Sequence, residues 1–229
     1  MTKRWQKLSQ IMVIAAIGLM GAQTPAVFAQ PDGTVTLIAG RQSPKEFLMA
    51  NRSAIENNPS DAVMGNRKGK IILVEFFDYH CGYCKAVVPS LQHVLASEPD
   101  VKLVLKQFPI LSESSVMAAQ AVLAARAQGY GRDVALHDRL MGLKGRFGAD
   151  EIFAAAKAVG LNLARLRHDM ADPRFEQILV QTAELAENLA IRGTPGFVLG
   201  DRIIRGAIDE ETLRQLIAEA KANLALLGT

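Results

Sequence analysis

The pattern of apolar and polar residues divides the chain into strand-like and helix-like segments. Residues 71–79, IILVEFFDY, are apolar almost throughout, which is typical of a central strand covered on both faces. A helix with apolar residues at a 3.6 period is predicted to begin at Cys81, and Pro89 lies inside it. A second strand is predicted over 101–108. Residues 112–191 then read as helices separated by short breaks.

The last part of the chain predicts a hairpin and a closing helix. Short strands at 196–199 and 202–205 flank a turn, and Asp209 is expected to cap a terminal helix. The order strand, helix, strand, helical block, hairpin and helix predicts an α/β fold. It is a thioredoxin-like core in which an all-helical insertion, at about 112–191, separates the second strand from the third.

A further amphipathic helix is predicted ahead of this core, over residues 43–57. Ser43 and Glu46 have the spacing of a capping box, with Pro44 at the first helical position. Its apolar residues fall on one face and need a partner: Phe47, Leu48, Ala54 and Ile55. That partner is either the helix's own domain or a second copy of the chain, and we favour a homo-oligomer.

The first 29 residues have the features of a secretory signal peptide. Basic residues precede the apolar stretch 11–20, and small residues lead to Ala29. The apolar stretch is short of the ~20 residues that span a bilayer, so a retained anchor is the less favoured alternative. We predict cleavage near Ala29 and export to the periplasm, which permits disulfides.

The predicted boundaries divide the chain into three parts. Residues 1–29 are the signal peptide, residues 30–69 are an N-terminal arm that carries the amphipathic helix, and residues 70–229 are the core with its insertion. A short strand is predicted within the arm, at 35–38. The chain has 26 Lys and Arg against 23 Asp and Glu, and three of the basic residues lie in the signal peptide. The mature chain is therefore near neutral, and no nucleic-acid partner is predicted.

Cys81 and Cys84 are the two cysteines of the chain, and they lie where the first strand gives way to a helix. A disulfide across so short a loop adds little stability, and a zinc site needs four ligands. A c-type haem site needs a histidine where Lys85 stands. The free N–H groups of the first helical turn favour a thiolate at Cys81, and Cys84 is the natural resolving thiol. The pair therefore predicts a redox centre, not a metal site.

Two segments are similar to a known family. VEFFDYHCGYCK at 74–85 and GTPGFVLG at 193–200 resemble the DsbA-like branch of the thioredoxin superfamily, and most closely its bacterial ScsC-type members. The resemblance extends from Lys70 to the C-terminus. It implies thiol–disulfide exchange on exported proteins with cysteines, without a bound cofactor, and a membrane redox partner that resets the disulfide.

The resemblance also assigns roles outside the cysteine pair. Thr194 and Pro195 match a loop whose proline is cis, lies against the active cysteines and adjoins backbone that pairs with substrate. Glu75 lies within the apolar strand, where a carboxylate is costly unless it is paired or functional. The resemblance implies a buried acid that exchanges protons with Cys84. The alternative is an ordinary edge-facing or salt-bridged glutamate.

Other residues are weaker candidates. Gly82 and Tyr83, between the cysteines, are expected to influence the redox potential and substrate contact. His80 either stabilises the neighbouring thiolate as a cation or is an exposed residue with little effect. Lys106 could pair with the predicted buried acid, although a solvated lysine at the strand end is favoured. The remaining histidines are assigned to packing or solvent contact: His93, His137 and His168.

The direction of electron flow is indicated by conflicting features. The long helical insertion resembles DsbA-type oxidases, which usually carry Pro-His between the cysteines and valine before the cis-proline. Gly82, Tyr83 and Thr194 look instead like the DsbC-type isomerases. We favour an isomerase or reductase, with a dithiol oxidase as the alternative. A copper-handling or chaperone-like binding protein is a lesser alternative.

Overall fold

A computed structural model describes residues 42–226 and the backbone of 27–29 and 35–37. The chain forms two compact units, 1–41 and 42–229. In the first unit, β1 (Val27–Ala29) pairs antiparallel with β2 (Val35–Leu37), which is the short strand predicted at 35–38. The rest of the predicted signal peptide lies outside the described residues. Within those residues, no helix has the length and apolar character needed to cross a bilayer.

A five-stranded mixed sheet forms the centre of the second unit. Its strands are β3 (Ala62–Gly65), β4 (Ile71–Phe77), β5 (Val101–Gln107), β6 (Gly196–Leu199) and β7 (Arg202–Arg205). The order is β3–β5–β4–β6–β7, in which β4 and β5 are parallel and the other neighbours are antiparallel. Edge strand β3 was not predicted, because four residues are too few to show a clear alternation.

Helices cover both faces of this sheet. They are α1 (Pro44–Ala50), α2 (Arg52–Glu56), α3 (Gly82–Ser97), α4 (Glu113–Ala125), α5 (Arg132–Met141), α6 (Ala149–Ala158), α7 (Leu163–Asp169), α8 (Pro173–Asn188) and α9 (Glu210–Leu226), with a short 3₁₀ helix at 126–128. Helices α4 to α8 lie between β5 and β6, so the predicted helical insertion is confirmed.

The side chains of β4 point alternately to the two faces of the sheet, and they contribute to two separate hydrophobic clusters. Leu73 and Phe77 belong to a cluster with apolar residues of α3, α4 and α9, whereas Val74 and Phe76 belong to a second cluster with residues of α1, α2 and α8. Successive side chains of a strand point to opposite faces of the sheet. A strand that is apolar throughout is therefore buried on both faces, as the sequence predicts.

The helix predicted over 43–57 is interrupted at Asn51, where α1 ends and α2 begins. The capping box of Ser43 and Glu46 is present. Leu48 and Ile55 are fully buried in the second cluster of the same chain. Phe47 is half-buried and Ala54 is exposed. The two buried residues of the apolar face are thus covered by their own domain, so they give no reason to expect an oligomer through this helix.

The arm and the core are not separate in the structure. Residues 42–69 belong to the same compact unit as the dithiol, and β3 within them pairs with β5. The structure therefore places no boundary at residue 70.

Lys106 forms a buried ion pair with Asp61, with 2.6 Å between Nζ and Oδ2. Its ammonium also donates to the Ala54 carbonyl at 2.8 Å, and the residue is 1% exposed. Leu105 is the partner of Glu75 in the β4–β5 register, so the side chain of Lys106 points to the other face of the sheet. Both predictions for Lys106, a pair with Glu75 and a solvated strand end, are therefore wrong.

We expect Lys106→Met to lower the free energy of unfolding by about 3 kcal/mol at pH 7, because it leaves the Asp61 carboxylate buried without its partner. Urea unfolding measures the change. Lys45→Met is the matched control, since the Lys45–Asp201 pair is exposed and its loss should cost less than about 1 kcal/mol. Similar losses in the two variants would contradict the prediction.

Candidate active site

The two thiols lie at the N-terminus of α3. Cys81 is the N-cap residue of the helix, and its Sγ accepts a hydrogen bond from the Cys84 N–H at 3.4 Å. The Cys81 thiol donates in turn to the Thr194 carbonyl at 3.1 Å. Both cysteines are free thiols, and Cys81 is slightly exposed whereas Cys84 is completely buried. The free N–H groups of the first turn therefore stabilise negative charge on Cys81.

Cys84 has a different environment from Cys81. Burial raises the pKa of the Cys84 thiol well above its ordinary value, and the nearby Glu75 carboxylate acts in the same direction. A backbone hydrogen bond at Asp78 opposes these effects without offsetting them. Cys84 therefore stays protonated until it reacts, which matches the predicted division between an attacking and a resolving thiol.

Glu75 lies in the middle of β4, between Leu105 of β5 and Phe197 of β6. It is 2% exposed, and its Oε1 has no hydrogen-bond partner among the described residues. Burial raises the pKa of Glu75 to about 8. Since β4 is a central strand and no cation of the described region pairs with this carboxylate, the salt-bridged or edge-facing alternative is excluded.

Pro195 lies directly across from the dithiol. The Thr194–Pro195 peptide bond is cis, as predicted. Pro195 is buried, and its carbonyl accepts a hydrogen bond from the Gly206 N–H at 2.9 Å. The Thr194 carbonyl is the acceptor for the Cys81 thiol. The fold thus brings together the two sequence segments that carry the family resemblance.

His80 is half-buried and held in place by two contacts. Its Nδ1 lies 2.7 Å from the Ser112 hydroxyl, and its ring packs edge-on against Phe147 with 4.3 Å between centroids. The interpretation of His80 as an exposed residue is therefore wrong. An effect of His80 on the Cys81 thiolate remains a prediction.

Asp78 is a buried site residue that the sequence analysis missed. Its carboxylate accepts hydrogen bonds from four groups: the N–H groups of His80, Ile110 and Leu111 and the hydroxyl of Ser115, at 2.7 to 2.9 Å. These hydrogen bonds connect the end of β4 to the start of α4 and to the segment that precedes it. The cost of burying a carboxylate, already used for Glu75, applies equally to Asp78 and could have identified it.

Tyr79, Gln107 and His137 form a further cluster of buried polar side chains. The Tyr79 hydroxyl accepts a hydrogen bond from Gln107 at 3.2 Å and lies 3.2 Å from Nδ1 of His137. Burial lowers the pKa of His137 to about 3, so its imidazole is neutral and shares a hydrogen bond with the Tyr79 hydroxyl through Nδ1. His137 also packs edge-on against Phe77, which confirms the packing role assigned to it. Glu75 and His137 line one small cavity.

Tyr83 and Gly82, by contrast, are exposed in the first turn of α3. The side chain of Tyr83 is 71% exposed. Lys106 is the one predicted site residue that the fold directs away from the dithiol. Among the described residues, no group of three or more His, Cys, Asp or Glu has an arrangement suited to a metal ion.

Comparison with known proteins identifies the family. Residues 72–218 match the DsbA-like thioredoxin domain. The chain belongs to this family. A thioredoxin-like oxidoreductase from Silicibacter pomeroyi is 37% identical, with 75% of this chain and 98% of that one covered and a TM-score of 0.72. The catalytic domain of Proteus mirabilis ScsC is 32% identical, with 79% and 99% covered and a TM-score of 0.72.

Curated relatives include proteins of two kinds. The Na(+)/H(+) antiporter NhaA 3 of Salinispora tropica is 28% identical over 168 residues, which are 72% of this chain and 26% of the antiporter. The chain thus spans about a quarter of that relative's length. The thiol:disulfide interchange protein DsbA of Bordetella pertussis is 29% identical over 150 residues, which are 61% of this chain and 68% of that protein.

The raised pKa of Glu75 predicts a pH-dependent effect on stability. Its pKa is 4.5 in the unfolded chain and about 8 in the folded protein. The stability that its protonated form contributes is fully present below pH 4.5 and is lost as the pH rises through about 8. The side chain of Glu75→Gln stays neutral at every pH. As the pH rises from 5 to 8.5, the free energy of unfolding of the variant should therefore increase by at least about 2 kcal/mol relative to that of the wild type.

Urea unfolding of the reduced proteins at both pH values measures this gain. Glu184→Gln is the matched control, since Glu184 is an exposed carboxylate on α8 and its removal should give no such trend. If the free energy of unfolding depends on pH in the same way for Glu75→Gln and the wild type across this range, the prediction is wrong and the pKa of Glu75 is not raised.

Proposed function

We propose that the protein catalyses thiol–disulfide exchange on other proteins through Cys81 and Cys84. The observation that carries the proposal is the asymmetry of the pair. Cys81 is in contact with the α3 N-terminus and the Thr194 carbonyl, and Cys84 is buried behind it. The Cys81 thiolate attacks a client disulfide, a Cys81–client disulfide forms, and the other client sulfur leaves as a thiolate.

The mixed disulfide has two fates. In the first, a client thiolate attacks it, which releases Cys81 and leaves the client with a rearranged disulfide. In the second, Cys84 attacks Cys81, which forms the Cys81–Cys84 disulfide and releases a reduced client. Cys84 must lose its proton to attack, and the ionised form of Glu75 is proposed to accept it. The Oε1 of Glu75 has no hydrogen-bond partner among the described residues, and a pKa of about 8 leaves a fraction of the carboxyl ionised near neutral pH.

We favour isomerase or reductase activity over oxidase activity. Gly82, Tyr83 and Thr194 support this direction. An oxidase is the alternative, supported by the helical insertion and by the likeness to the Bordetella DsbA. An oligomer formed through the predicted 43–57 helix would also favour an isomerase, but Leu48 and Ile55 are buried in their own chain and give that argument no support.

Clients are proposed to be exported proteins with cysteines in accessible, unfolded segments. Tyr83 is exposed next to Cys81, and Ile110 and Leu111 are 44% and 52% exposed on the segment that Asp78 binds. These exposed apolar side chains are proposed to contact the client polypeptide. The backbone beside Pro195 is proposed to pair with the client as an added strand.

The compartment and the redox partner are part of the proposal. The pattern of residues 1–29 supports export to the periplasm with cleavage near Ala29. A membrane redox partner is proposed to reset the Cys81–Cys84 pair, and the exchange itself needs no bound cofactor. A copper-handling or chaperone-like role is the lesser alternative.

We expect Cys84→Ala to accumulate mixed disulfides with client proteins, because the resolving thiol is absent while Cys81 still attacks. Non-reducing electrophoresis of the reduced variant incubated with a disulfide-containing client measures the adduct. Cys81→Ala is the control and should form none. A Cys84→Ala variant that loses bound Cu(I) without forming adducts would favour the copper-handling alternative.

The direction of exchange is tested with a client that carries scrambled disulfides. We expect the reduced wild type to restore client activity, and Cys81→Ala to have no effect. Rapid oxidation of a reduced client by the disulfide form, without recovery of the scrambled one, would establish an oxidase instead.

A further inference from the structure

Arg205, at the end of β7, caps the helix that leads into the Pro195 loop. Its Nε donates to the Ala190 carbonyl at 2.7 Å, and its Nη2 donates to the Leu189 carbonyl at 3.2 Å. These carbonyls follow the last turn of α8, where helical carbonyls lack partners and carry partial negative charge. A guanidinium forms such a pair of charge-assisted hydrogen bonds with both donors fixed in one plane.

The turn that Arg205 caps has an unusual backbone. Ala190 has φ of 55°, a left-handed conformation that favours glycine and is disfavoured for alanine. The Ile191 N–H bonds to the Ala186 carbonyl at 2.8 Å, so the chain reverses sharply after the helix. With alanine in this position, the capping bonds from Arg205 offset a conformational cost that glycine would not incur.

The other end of the loop is joined to the same residue. Gly196 is the partner of Arg205 in the β6–β7 register, and the Gly206 N–H bonds to the Pro195 carbonyl. Ile191 packs so closely against Gly196 that a Cβ there would lie 2.4 Å from Ile191 Cγ2. The backbone of Arg205 therefore holds the end of loop 190–196, and its side chain holds the start.

We propose that Arg205 is a positioning residue that sets the place of the Thr194 carbonyl and the adjoining client-binding backbone relative to Cys81. This inference rests on the exchange function proposed above. Loss of the guanidinium frees the start of the loop, while the β6–β7 ladder still holds its end. The client-binding backbone then loses its alignment with Cys81, whereas a small disulfide that reacts at the sulfur alone is affected much less.

The test compares two substrates of reduced wild type and variants. One is a peptide that contains a single disulfide, and the other is Ellman's reagent, a small aromatic disulfide. We expect Arg205→Ala to lower the rate constant for the peptide about tenfold, the size of effect expected of misplaced reacting groups. Its rate with Ellman's reagent should stay within about twofold of the wild type, because that reaction needs no loop backbone.

Arg202→Ala is the matched control. Arg202 is the other arginine of β7, is also exposed, and pairs with Glu219 of α9 at 2.5 Å. It should leave both rates unchanged. Arg205→Lys retains the charge at the end of α8 with a single donor group, so we expect partial recovery of the peptide rate. This variant also serves as the test if Arg205→Ala does not fold.

Each result decides a separate question. Equal losses with both substrates would show a general structural defect, and peptide rates in the Arg205 variants equal to the wild type would show that the cap has no positioning role. Either result overturns the inference. A wild type that reacts with Ellman's reagent but not with any peptide disulfide would instead overturn the proposed function.

Discussion

The structure depends on burial of β4 on both of its faces. Because side chains alternate along a strand, this burial fixes which side of the sheet each residue reaches. Glu75 and Phe77 point to the face that α3 covers, and Phe76 points to the face that α1, α2 and α8 cover. The same strand ends at Phe77 and continues directly into Asp78 and the α3 N-cap. A single buried strand thus places both the acid under the dithiol and the dithiol itself.

Burial also decides the charge state of the groups around this strand. Removal from water disfavours the charged form of every ionisable group, so it raises the pKa values of Glu75 and Cys84 and lowers that of His137. All three are consequently neutral over much of the range below pH 8. Cys81 lies instead at the helix N-terminus, where its sulfur accepts a hydrogen bond from the Cys84 N–H. The chemical difference between two identical side chains therefore comes from their position along one helical turn.

Local patterns predicted much of this arrangement, and contacts between distant segments account for the rest. The hairpin strands and the dithiol at the head of α3 follow from short stretches of sequence, whereas the cis bond before Pro195 was predicted from the family resemblance. The partner of Lys106 could not be predicted in this way, because the face it occupies depends on the β4–β5 register and Asp61 lies 45 positions earlier. Arg205 was missed for the same reason, since β7 does not reveal from its sequence which helix end it meets.

The contacts of Asp78 and Arg205 lie at the two ends of the helical insertion. Helices α4 to α8 separate β5 from β6, so one segment connects β5 to the insertion and another connects the insertion to β6. The Asp78 carboxylate binds the departing segment at Ile110 and Leu111, and the Arg205 guanidinium binds the returning one at Leu189 and Ala190. Arg205 lies in β7 and Asp78 directly follows β4, so each contact joins a charged side chain at a strand end to backbone groups next to the insertion. With both connecting segments bound in this way, the returning chain brings the Thr194 carbonyl within hydrogen-bond distance of the Cys81 thiol.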